Sequence, residues 1–146
     1  QHKADVAKAD SPQALADGFV RGYRHDIPTD WIAEEFASVT GRSIYDLPFD
    51  KQRGWSIYNL AHARILMVRA DVTPAGKKAA LEELYGVEMP EPPASDESQD
   101  YSHRFSKIGS QMKFPEPLVS RYYNSRLVWH FWPHGKIDEM RAAIPV

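Results

Sequence analysis

Asp50-Lys51-Gln52-Arg53-Gly54-Trp55-Ser56-Ile57-Tyr58-Asn59-Leu60-Ala61-His62-Ala63-Arg64-Ile65-Leu66-Met67-Val68-Arg69-Ala70 is the stretch on which the fold turns. Trp55, Tyr58, Ala61, Ile65 and Val68 recur at the spacing of one helical face, and Leu60 and Leu66 widen it. Arg53, Arg64 and Arg69 fall outside that stripe and supply polar cover. The spacing predicts one long helix at the centre of the packing, with His62 beside the stripe.

The flanks read the same way. Ser11-Pro12 offers an N-cap followed by an N1 proline, which predicts a helix towards Tyr23 with Leu15, Phe19 and Val20 on one side. Thr29-Asp30 predicts a second helix. Its stripe is Ile32, Phe36 and Val39, its solvated side carries Glu34 and Glu35, and Gly41 stops it. Thr73-Pro74 repeats the cap-plus-proline opening, and Gly86 predicts the end of another helix. There Lys77 and Lys78 come early and Glu82 and Glu83 late, the less favourable order for the helix dipole, so these charges are expected to face partners.

Residues 89–100 hold three prolines, four acids and no basic residue, the composition of an extended linker. The last stretch, 101–146, is an arm crowded with Tyr101, Phe105, Phe114, Tyr122, Tyr123, Trp129, Phe131 and Trp132. Pro117 predicts a helix from Leu118 to Trp129, Pro133 and Gly135 a turn, and Ile137 to Ala143 a last short helix. The chain thus divides into a flexible N-terminus at 1–10, a helical domain at 11–88, the acidic Pro-rich linker at 89–100 and the aromatic, basic arm at 101–146. The fold class expected is all-α: a small irregular helical bundle, an extended linker and a long, partly helical, aromatic-rich C-terminal arm.

Composition narrows the function. With 146 residues there is material for one modest core. No cysteine is present, which excludes thiol catalysis, disulfides and cysteine-ligated metals. The longest apolar run, Ile65-Leu66-Met67-Val68, is far short of a bilayer span. The formal net charge is −2, but residues 1–100 carry 11 Lys/Arg against 17 Asp/Glu, whereas 101–146 carry 7 against 3. A basic arm on an acidic body suits an acidic neighbour or an anionic membrane surface. The total is too acidic for a dedicated nucleic-acid binder.

No catalytic constellation emerges. Glu34 and Glu35 are adjacent on a helix and point about 100° apart, so they do not converge on one bond. The glycines form no phosphate loop. His130 and His134 have the spacing of a helical metal pair, with His103 as a third candidate, and this is the basis of the alternative reading, a small metal-dependent hydrolase or nuclease. Pro133 between them disrupts that geometry, so no metal, cofactor or catalytic residue is assigned. The stretch Arg121, Tyr122, Tyr123, Arg126, Trp129, Phe131 and Trp132 interleaves the residue types that dominate protein interfaces, and it is the candidate interface.

From Leu47-Pro48 through the long helix to Thr73-Pro74 and the helix after it, the layout resembles small helical accessory subunits of mitochondrial respiratory complexes. The resemblance implies an accessory role, and no functional residue is carried across from it. The start at Gln1, without an apolar signal core, suits a processed, imported organellar protein. The function expected is a non-enzymatic accessory or assembly subunit of a larger complex, peripheral to a mitochondrial membrane assembly. Its arm would pack on neighbouring protein subunits and could also touch the membrane surface. No cofactor is expected.

Overall fold

A computed structural model describes residues 11–25, 27–90 and 111–146. The N-terminal residues 1–10, most of the linker, and His103, Tyr101 and Phe105 lie outside the described residues. Helix α1 spans Pro12–Gly22 and α2 spans Ile27–Thr40. A single 3-10 turn follows at Ile44–Asp46. The antiparallel strands β1 (Trp55–Asn59) and β2 (Arg64–Val68) come next, then α3 (Pro74–Tyr85). The arm holds α4 (Glu116–Tyr123), α5 (Arg126–Phe131) and α6 (His134–Ala142). No helix among the described residues is long and apolar enough to cross a membrane.

The all-α expectation is overturned at its central element. Asp50–Ala70 is not a helix but a turn leading into a β-hairpin, and the fold is a mixed α/β one. Trp55 pairs with Val68, Ile57 with Leu66, Tyr58 with Ile65 and Asn59 with Arg64. Gly54 marks the entry. It adopts φ 78°, and a Cβ built there would come within 2.7 Å of Val72 Cγ2. A side chain is therefore excluded by both conformation and space. The Leu60 amide closes the hairpin on the Ala63 carbonyl at 2.8 Å, leaving Ala61 and His62 at an exposed tip. His62 is thus a tip residue, not a neighbour of a buried helical stripe.

The alternation of strand side chains explains why this arrangement wins. Tyr58, Ile65, Met67 and Leu60 share one face and meet Phe36 of α2, Ile44 of the 3-10 turn and Leu47 just after it, and Leu127 and Phe131 of α5. The other face carries Ile57, Leu66 and Arg64 towards α3, which packs on both strands. Arg64 donates to the carbonyls of Leu84 at 2.5 Å and Glu83 at 3.1 Å, at the end of that helix. A helix would bury one stripe of these residues. The hairpin buries two faces.

The helices flanking the hairpin follow their local signals. Ser11 caps α1 by accepting from the Ala14 amide, and Thr73 caps α3 by accepting from Gly76. Gly86 ends α3 in the left-handed conformation. In α2, Phe36 is buried and Ile32 half-buried, but Val39 is 78% exposed, so the expected stripe does not extend to it. The charges of α3 serve the chain itself: Lys77 donates to the Ala70 carbonyl, Lys78 pairs with Glu82, and Glu83 approaches Arg53. The helix expected at Leu118–Trp129 is two, because the chain breaks at Asn124-Ser125, where Ser125 caps α5.

Candidate functional site

The arm is joined to the body through its own backbone. The Gln13 side-chain amide both donates to the Lys113 carbonyl and accepts from its amide, at 3.2 and 3.1 Å. Phe114 stands edge-on to Phe19, and its amide donates to the carbonyl of Pro145 near the chain end. Lys51 donates to the Trp129 carbonyl at 2.6 Å. Arg69 donates to the Phe131 carbonyl and to the Lys51 carbonyl, both at 3.0 Å. Val119 of α4 and Ile137 of α6 are buried, so the arm's helices have a small interior of their own.

This packing sorts the seven interface candidates into two groups. Phe131 is buried, edge-on to Phe49 at 4.7 Å, and belongs to the core. Trp132 packs against the same core, with its indole Nε1 sealed off and without a hydrogen-bond partner among the described residues. Tyr123 is half-buried, and burial, reinforced by its neighbour Tyr122, pushes its phenol pKa up. Arg121, Tyr122, Arg126 and Trp129 are on the outer surface. Of these, Arg126 lies over the Tyr45 ring at 4.2 Å, and Trp129 is in edge contact with His134 at 4.3 Å.

Arg121 and Tyr122 line a cleft of about 270 Å³ that the sequence does not announce. Leu118, Arg121 and Tyr122 of α4, with Ser125, form one wall. His25 and the first turn of α2, Thr29 and Asp30, form the other. Each element places its residues for a local reason. Asp30 is the acid favoured in the first turn of a helix, and it accepts from the Thr29 hydroxyl at 3.3 Å. Ser125 is held by its cap to Val128. His25 is clamped beside the cleft by the Val20 carbonyl at 3.2 Å and by edge contacts with Phe19 and Tyr23.

The cleft's chemistry is mixed. It offers a guanidinium, a carboxylate, an imidazole, two aliphatic hydroxyls and a phenol, and Arg121 forms no ion pair among the described residues. Phe19, Tyr23 and Tyr122 are large aromatic residues left partly in water around it, and Trp31, the residue after Asp30, is 56% exposed. Tyr45 couples this region to the core. Burial raises its phenol pKa, Arg126 lowers it and Asp30 raises it further.

The described histidines of the arm, His130 and His134, stand in different surroundings. His130 sits in α5 among Tyr45, Phe49 and Phe131, while His134 opens α6 against Trp129. Among the described residues no group of three or more His, Asp or Glu is placed to hold a metal ion. Glu34 and Glu35 are both exposed on α2.

Compared with protein-family models, with curated proteins and with solved structures, the chain matches none.

Proposed function

We propose that this chain is a non-enzymatic accessory subunit that binds a partner protein over the cleft between α2 and α4 and the exposed aromatics around it. The observation that carries this reading is the company kept by Arg121 and Tyr122. A guanidinium without an ion pair among the described residues and an exposed phenol share one concavity with Asp30 and His25 and adjoin the Phe19–Tyr23 stack. Tyr, Trp and Arg are the residue types that dominate binding energy at protein interfaces. A partner that desolvated them would gain far more than the few tenths of a kcal/mol that an exposed side chain usually contributes to the free chain.

The arm's inner aromatics are engaged with its own body, so the surface offered to a neighbour is the outer side of α4 and α5. That surface lies in the basic part of the chain and suits an acidic partner. Membership of a mitochondrial assembly, beside its membrane, belongs to the same proposal and draws on the sequence features alone.

Arg121→Ala and Tyr122→Ala test it. Both side chains are exposed, so each variant is expected to fold with stability within about 0.5 kcal/mol of the parent. The yield of a stoichiometric partner on mild purification should fall at least about tenfold for Tyr122→Ala, the loss expected of an interface hot spot. A parent that purifies alone as a monomer, or variants that retain the partner fully, would sink the proposal.

A further inference from the structure

We infer that the joint between arm and body is a proton-operated latch, in which protonation of His130 releases α5 from the body. The inference does not depend on what occupies the cleft. His130 sits on α5 with its ring edge-on to Tyr45 at 5.4 Å and to Phe131 at 4.8 Å, and tilted against Phe49 at 6.4 Å. Its Nε2 is sealed from solvent and has no hydrogen-bond partner among the described residues. An imidazole so placed is accommodated when neutral. Once protonated it needs a hydrogen-bond acceptor and a countercharge, and the cage of rings offers neither.

The charges around the cage work in the same direction. Lys51, from the turn before β1, and Arg126, from α5 itself, both bear on His130. Lys51 is fixed nearby by its bond to the Trp129 carbonyl, and Arg126 by its place over Tyr45. Asp46, at the end of the 3-10 turn, is exposed. Asp50 accepts from the amides of Gln52 and Arg53 and pairs with Arg53, whereas Asp30 bears on Tyr45. His134 of α6 faces Trp129. Burial first, then Lys51 and Arg126, hold the His130 pKa below the ordinary value for histidine.

The sign follows from linkage. The undocked imidazole titrates near the ordinary value of about 6.5, and the docked one lower. Above that value both forms are neutral and docking is at full strength. As pH falls below it the undocked form takes up the proton first, and docking weakens until the docked form titrates as well. Each unit by which the docked pKa lies lower costs about tenfold in the docking equilibrium. The released segment would expose Leu127 and Phe131, and it would take one wall of the cleft with it, because Ser125 and α4 belong to the arm.

Amide hydrogen exchange on the full chain at pH 7.5 and 5.5, corrected for intrinsic rates, reads the latch directly. Protection across residues 126–131 should fall more than protection across α3 at 74–85, by up to about tenfold, the ceiling that one imidazole can supply at pH 5.5. In His130→Phe, which keeps a ring in the cage but cannot titrate, that differential loss should vanish. Equal losses in α5 and α3, or an unchanged differential in the variant, would overturn the inference. If the variant does not fold, the imidazole of the parent protein decides by NMR titration. A midpoint below the ordinary histidine value, with α5 losing protection over the same pH range, upholds the latch, and a midpoint at or above it, or α5 protection unchanged through the titration, ends the idea.

Discussion

The Arg69 guanidinium gathers three parts of the chain at one point. It pairs with Asp71 at 3.0 Å, donates to the carbonyls of Lys51 and Phe131, and lies 5.6 Å from the Trp132 ring. Its side chain is only 11% exposed. Spacing alone marks Arg69 as polar cover on a helix, because nothing local shows that its partners lie in the arm. Arg69→Ala would leave two carbonyls short of a donor and remove a contact to the indole. A loss of about 2–3 kcal/mol is expected in denaturant unfolding, against well under 1 kcal/mol for Arg42→Ala on the surface. Equal effects from the two would show that Arg69 does not hold the arm in place.

Among the elements, the helices whose ends are written locally were legible and the hairpin was not. Ser11-Pro12, Thr73-Pro74 and Gly86 act within one turn of the helix they bound, so α1 and α3 could be read without knowing the rest of the fold. The hairpin depends on residues five to thirteen positions apart pairing across a gap, and its tip, Ala61-His62, lacks the Asn-Gly or Gly-Gly signal of a tight turn. The alternation that places Tyr58, Ile65 and Met67 on one face was present, but it overlapped a helical period that fitted as many residues. Ile57 and Leu66 lie directly opposite one another. In a helix they would be about 13 Å apart along the axis. In a chain with no native cysteine, Ile57→Cys with Leu66→Cys should form an intramolecular disulfide quantitatively on mild oxidation. Failure to cross-link in the folded protein would contradict the hairpin.

At the scale of the whole molecule, the arm has an inner and an outer side. Leu127, Phe131 and Trp132 turn inward and complete a core begun by Phe36, Ile44, Leu47 and Tyr58. Arg121, Tyr122 and Trp129 remain outside. The residue types of an interface were visible in the sequence, but not which of them the body would claim. Nor was the opposite wall of the cleft, because His25, Thr29 and Asp30 meet Arg121 only after the chain has folded back over most of its length. We propose the outer side of α4 as the surface at which this chain meets a partner protein. Site-specific photo-cross-linking tests it most directly, with a benzophenone side chain placed at position 122 and, as a control, at the exposed Asp138 of α6. One discrete protein adduct is expected from position 122 and none from 138. No adduct at 122, or the same adducts from both positions, would contradict it.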